Sequence, residues 1–238
     1  MSPHDPAIEV SGLAKQLGGR TILRDVHFSL LRGEIVALIG ANGAGKTTLL
    51  RCLATATQPS AGTIRWLAQP QLTTVQLRRC LGYAGHDSCL YPQLTVEENL
   101  LFAARMYGVT ADTDRVSRQL LAAGLAGTGP VLCGRLSQGM RRRVSILRAI
   151  VHDPAIVLLD EPSTGLDQRG HHWLVQILLG LKQRQCCIGF VTHEPQLLHD
   201  VADRVLEIRD GRVWDTASHQ PGASTGTSTE AIHEKRAA

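Results

Sequence analysis

Glu34-Ile-Val-Ala-Leu-Ile39 runs directly into Gly40-Ala-Asn-Gly-Ala-Gly-Lys46-Thr47, and this stretch decides the fold. After Glu34 the first part is continuously apolar, the pattern of a strand buried on both faces. The turn that follows is rich in glycine, and from Lys46 to Ala54 apolar residues return at helical spacing. A strand, a tight loop and a helix in that order begin an α/β unit. The loop fits GxxxxGK[ST]. Glycine lets backbone approach a ligand without a Cβ in the way. The N–H groups of such a loop, with those of the helix N-terminus, can cradle the β- and γ-phosphates of a nucleoside triphosphate. The candidate binding set is Gly40, Ala41, Asn42, Gly43, Ala44, Gly45, Lys46, Thr47 and Thr48. Lys46 supplies a point charge and the Thr47 hydroxyl a ligand for Mg²⁺. A chance glycine-rich βα turn is the competing explanation, and the strand before it and helix after it argue against that.

Downstream, Ile156-Val-Leu-Leu-Asp160-Glu161-Pro162 reads as a buried strand ending in two carboxylates. Ligands of a parallel sheet lie beyond the C-terminal ends of its strands. That puts Asp160 near the Mg²⁺ of the first motif, and Glu161 where it can orient and deprotonate an attacking water. Alone, adjacent acids at a strand end are commoner as solvated turn residues; the phosphate loop upstream gives these two a partner.

Between the two motifs lies Leu136-Ser137-Gln138-Gly139-Met140, followed by Arg141-Arg142-Arg143. By itself such a serine is a common N-cap and such an arginine run a common solvated face. In this order, however, the combination resembles the ATP-binding-cassette (ABC) ATPases over roughly Ala7 to Trp214. The resemblance implies an α/β P-loop NTPase fold with a mostly parallel sheet core, an N-terminal antiparallel β subdomain and an inserted α-helical subdomain at about 90–148. It implies ATP and Mg²⁺ as ligands, with Mg²⁺ on Thr47 and Asp160 and with Glu161 and His193 as catalytic residues. Leu136, Ser137, Gln138 and Gly139 correspond to the signature that closes over the γ-phosphate held by a second copy. Met140 replaces the family's glutamine there. Ser163-Thr-Gly-Leu-Asp167 looks like the D-loop through which two subunits communicate, and Val191-Thr-His193 like the switch histidine. Two further positions depart from the pattern. Where the family stacks an aromatic ring on adenine this chain has Leu17, which offers apolar contact but no π-face. The Q-loop glutamine falls on His86, with Asp87 beside it as a possible substitute.

The segment Gly82-Tyr-Ala-Gly-His86, with Leu94-Thr-Val-Glu-Glu-Asn-Leu100 after it, looks like the haem-exporter branch that serves cytochrome c maturation, or related ABC-2 exporters. The resemblance therefore implies an ATPase subunit, peripheral on the cytoplasmic side of the membrane, that powers a separate transmembrane permease and pairs with a second ABC ATPase subunit, as a homodimer. The stretch Leu90 to Leu101 would receive the permease. The absence of a regulatory domain after Trp214 fits an exporter. The rival readings are a soluble family member acting on ribosomes or DNA, and a cassette that binds ATP without turnover. Neither a second cassette nor a basic extension accompanies this one, and Glu161 and His193 are both in place.

Composition agrees with such a chain. In 238 residues, 43% hydrophobic and 19% charged residues exclude wholesale disorder. No apolar run approaches the roughly 18 residues a membrane span needs, and Met1-Ser-Pro-His-Asp-Pro6 has no signal-peptide pattern. A net charge of +4 is too mild to argue for nucleic acid. The six cysteines contain no CxxC pair, so they read as reduced thiols, mostly small core residues. Other expected elements are strands around Ile8–Val10, Thr21–Leu23 and Val26–Leu30, with turns at Gly18-Gly19 and Arg32-Gly33. A helix from Val96 to Tyr107 should stop at Gly108, with Asp112 or Thr113 capping the next. Another helix is expected over Gly170–Leu181, a strand over Cys187–Val191, and a hairpin turning at Asp210-Gly211. The resemblance implies a single ABC ATPase domain over 7–214, and 215–238, rich in Ser, Thr, Gly and Ala, reads as a flexible tail.

Overall fold

The computed structural model describes residues 6–68, 72–110 and 112–218. Strands β1 (Pro6–Leu17) and β2 (Arg20–Leu31) pair antiparallel around the Gly18-Gly19 turn, where both glycines have positive φ. The two short runs expected in this region are one strand, bent at Asp25, whose φ is 47°. Next come β3 (Ile35–Gly40), α1 (Lys46–Leu53), β4 (Ala61–Trp66), α2 (Thr74–Arg79) and β5 (Leu81–Ala84). Helices α3 (Val96–Met106), α4 (Thr113–Ala122) and α5 (Gln138–Ile150) form the run without strands. The chain closes with β6 (Ile156–Asp160), α6 (Gln168–Gln183), β7 (Cys187–Val191), α7 (Pro195–Val201), β8 (Arg204–Arg209) and β9 (Arg212–Ser218).

The larger sheet has the order β5-β6-β7-β3-β8-β9, parallel except for β9, and a smaller antiparallel sheet has the order β2-β1-β4. This is the expected α/β fold with its antiparallel N-terminal sheet and helical insertion. The apolar runs are explained by double burial. Ile35 and Ala37 of β3 face one core with Val157, Leu159 and Phe190, while Val36 and Leu38 face another with Leu49, Leu50, Ile156 and Leu158. Alternate residues of a strand point to opposite faces, and here each face has its own apolar layer. Every residue of β6 and β7 is buried.

Local signals fix the helix starts. Thr95 caps α3 in a reciprocal box with Glu98, and Asp112 caps α4. Gly108 takes the positive φ that ends α3, as expected. One expectation changes, while the cysteines are mostly core residues as expected. Residues Asp215 to Ser218 belong to β9 rather than to a tail; 219–238 lie outside the described residues. Of the cysteines, Cys52, Cys133, Cys186 and Cys187 are buried, but Cys89 is exposed and Cys80 half-buried. Among the described residues no helix is long and apolar enough to cross a membrane.

Candidate nucleotide site

The C-terminal ends of three neighbouring strands, β6, β7 and β3, bring the polar groups together. Beyond β3 the loop coils through positive φ at Gly40, Gly43 and Gly45. At Gly40 a Cβ would come within 2.5 Å of the Ile208 carbonyl oxygen, so this residue cannot be larger. Lys46 is 7% exposed, and its Nζ donates to the carbonyls of Gly40 at 2.8 Å and Ala41 at 2.9 Å. Burial pulls its pKa down, opposed by the nearby Glu161 and Asp160 carboxylates.

Asp160 ends β6. Its Oδ1 accepts from the Thr47 hydroxyl at 3.3 Å, and its buried Oδ2 has no hydrogen-bond partner. A carboxylate oxygen left over beside a hydroxyl suits a hard divalent cation, which takes oxygen ligands, so the residues present fit Mg²⁺. Glu161 follows in the left-handed region, φ 54°, held there by its N–H donating to the Val191 carbonyl at 2.9 Å. A non-glycine residue so placed costs of order 1–3 kcal/mol. The effect is to turn the Glu161 carboxylate toward His193, whose Nε2 lies 3.4 Å from Oε1. Burial raises the Glu161 pKa, the His193 imidazole lowers it, and Asp160 raises it. A carboxylate so disposed, within reach of an attacking water, is placed to act as a general base.

Ser137 caps α5, its Oγ accepting from Met140 N–H at 3.3 Å. At Gly139 a Cβ would meet the Gly165 carbonyl oxygen at 2.6 Å, so the two loops touch backbone to backbone. Asp167 caps α6 through Gly170 N–H at 2.8 Å and pairs with Arg143 at 2.5 Å. These bonds hold its carboxyl below the usual range, the Gly170 N–H most of all.

Some of the expected residues line three cavities, with Gln138 shared between two of them. One of about 410 Å³ gathers His86, Asp87, Gln138, Asp160 and Glu161. Another of about 790 Å³ lies along Ala41–Ala44 and the β8–β9 turn. Ser137, Gly139 and Asp167 line a third, of about 810 Å³, away from Lys46. Leu17, 48% exposed at the end of β1, lines none of the three. Sequence reasoning missed Arg142: the arginine run reads as solvated, yet Arg142 is buried. Ser163, the first residue of the expected D-loop, is buried, and its Oγ has no hydrogen-bond partner.

Residues 23–164 match the family model described as ABC transporter. The chain is 38% identical over 209 residues to the SkfA peptide export ATP-binding protein SkfE of Bacillus subtilis (strain 168), covering 87% of each. It is 35% identical over 213 residues to the Nod factor export ATP-binding protein I of Bradyrhizobium sp. (strain SNU001), covering 89% of this chain and 70% of that one. It is 36% identical over 220 residues to the L-cystine transport system ATP-binding protein TcyN of Escherichia coli (strain K12), covering 87% and 88%. Among solved structures, an ATP-binding subunit of an ABC transporter superposes with a TM-score of 0.79 at 31% identity, over 87% of this chain and 88% of that one. The dimeric bacterial ABC transporter cassette MJ0796 superposes with a TM-score of 0.76 at 26% identity, over 87% and 96%.

Proposed function

Because the chain belongs to the ABC transporter family, as an ATP-binding ATPase subunit, we propose that two copies clamp two ATP molecules head to tail and drive a separate transmembrane permease. In each site Gly40 to Thr48 of one copy hold the phosphates and Ser137 to Gly139 of the other close over the γ-phosphate. The observation that carries this reading is the division of the site. The phosphate loop, the acidic strand end and His193 stand on adjacent strands, while Ser137 opens onto a cavity away from Lys46. A serine hydroxyl on a helix N-terminus is suited to a phosphate, and the one it serves belongs to the second copy.

Within a site, Lys46 and the loop N–H groups bind the β- and γ-phosphates. Thr47 and Asp160 would hold Mg²⁺, which would offset the phosphate charge. Glu161 orients the water and takes its proton, and His193 fixes the Glu161 carboxylate. Asp167, tied to Arg143, carries the contact between copies. Positioning and charge neutralisation supply most of the acceleration in phosphoryl transfer. Leu17 would contribute apolar contact to the adenine, and His86 and Asp87, which line the same cavity as Asp160 and Glu161, would bond to water or to a ligand of the metal.

The permease sits on the face near Tyr91 and Phe102. These rings meet edge to face at 5.4 Å and are 50% and 41% exposed, with Met106 further along α3 at 68%. Side chains this apolar left in water suit a partner surface. The chain then lies on the cytoplasmic side of the membrane, held by its partner and not by nucleic acid. Export is the direction proposed. Two relatives are named for export of a peptide and of Nod factor, although a third is named for L-cystine transport. The finer haem-exporter reading is supported by Gly82-Tyr-Ala-Gly-His86 with Leu94-Thr-Val-Glu-Glu-Asn-Leu100 after it. The test is to tag the chain, solubilise membranes gently and identify what co-purifies by mass spectrometry. A polytopic exporter subunit is expected, and its class names the cargo. Recovery of ribosomes or DNA without a membrane protein overturns the transport reading.

A further inference from the structure

Arg142 is 8% exposed, and its hydrogen bonds go to main-chain carbonyls on two other segments. Nη1 donates to Gly85 at 2.8 Å, Nε to Pro162 at 3.4 Å, and Nη2 to Asp160. One turn further along α5, Ser145 is 1% exposed and its Oγ donates to the Ser88 carbonyl at 3.0 Å. Gly85 and Ser88 flank His86 and Asp87, the pair that faces Asp160 and Glu161 across the 410 Å³ cavity. Taking a guanidinium out of water is expensive unless its donors are satisfied. An apolar side chain would fill the same space without that cost. What the arginine adds is direction: a planar fork with donors in fixed geometry joins three backbone segments at once.

We propose that Arg142 and Ser145 are positioning residues for ATP hydrolysis, locking the His86–Asp87 segment and the Asp160–Glu161 strand end to α5 so that the three move as one body. The inference rests on the site proposed above. Since α5 begins at Ser137, any pull on that serine by the nucleotide of a second copy reaches both the acids and the facing loop. Arg142 lines that cavity, but its donors go to main-chain carbonyls, and Ser145 bonds only to Ser88, so ATP binding by one copy does not need them; turnover does.

The test compares ATP turnover with ATP affinity, by calorimetry, in full-length variants. Arg142→Met should lower kcat about tenfold or more while ATP affinity stays within about threefold. Arg142→Lys, which keeps the charge but not the planar fork, should recover only a small part of the loss. Ser145→Ala, losing one bond, should lower kcat about two- to fivefold at unchanged affinity. Wild-type kcat in Arg142→Met, or turnover and affinity falling together, overturns the proposal. If Arg142→Met does not fold, Ser145→Ala decides, and there wild-type kcat overturns it. A wild-type chain that fails to hydrolyse ATP overturns the underlying site reading as well. An active wild type with an indifferent variant overturns this inference alone.

Discussion

Glu161 shows how much one residue's backbone can decide. Its left-handed φ of 54° is unfavourable for any side chain with a Cβ, and it persists because the Val191 carbonyl holds its N–H. Glu161→Gln keeps the shape and the strain but not the basicity. ATP affinity should be retained while kcat falls about a hundredfold or more, the range a general base contributes, in a steady-state phosphate-release assay. Lys46→Ala removes the loop's only side-chain cation, and calorimetry should show ATP affinity falling about a hundredfold or more. Both residues were legible in the sequence because their chemistry requires a fixed spacing. Arg142 was not. Three arginines in a row look like one solvated patch, but successive helical residues point about 100° apart, so the middle one turns inward. Only knowing which carbonyls lie beneath could have revealed that.

Among the elements, those with continuous apolar runs were legible: β3, β6 and β7 are buried on both faces, and their sequences leave no other explanation. The unread ones lack that signal. Strand β4 has no fully buried residue, α2 buries only Leu77, and β5 is four residues long with a glycine inside. Tertiary pairing, not local pattern, makes them. A second contact between elements is equally silent in sequence. Tyr107, after α3, stacks on His152, after α5, with ring centroids 3.7 Å apart and planes within 12°. Burial pushes the His152 pKa from 6.5 down to about 4. Below pH 6.5 the unfolded imidazole takes up a proton that the folded one refuses until about pH 4, so stability falls as pH drops through that window and is indifferent above it. The melting temperature should therefore fall by roughly 2–6 °C between pH 7 and 4.5 from this group. His152→Phe, which keeps a stacking ring without a titrating one, should flatten that slope in a calorimetric pH series.

For the whole molecule, the division of the site predicts an obligatory second copy for turnover. Ser137→Arg places a long charged side chain where the facing nucleotide would dock. Light scattering should find no ATP-dependent dimer, while ATP affinity of the single chain stays within about threefold. Cap loss at α5 should lower stability by about 1 kcal/mol. The order of the large sheet has one more consequence. Strand β3, which presents the phosphate loop, is flanked by β7 and β8, and Ile35 pairs with Ile188, roughly 150 residues further on. A chain emerging from the ribosome therefore synthesises its phosphate loop early and its support late. Until the last third has been translated, the loop has neither neighbour. Chains truncated before Val191 should therefore fail to bind ATP in an equilibrium binding assay.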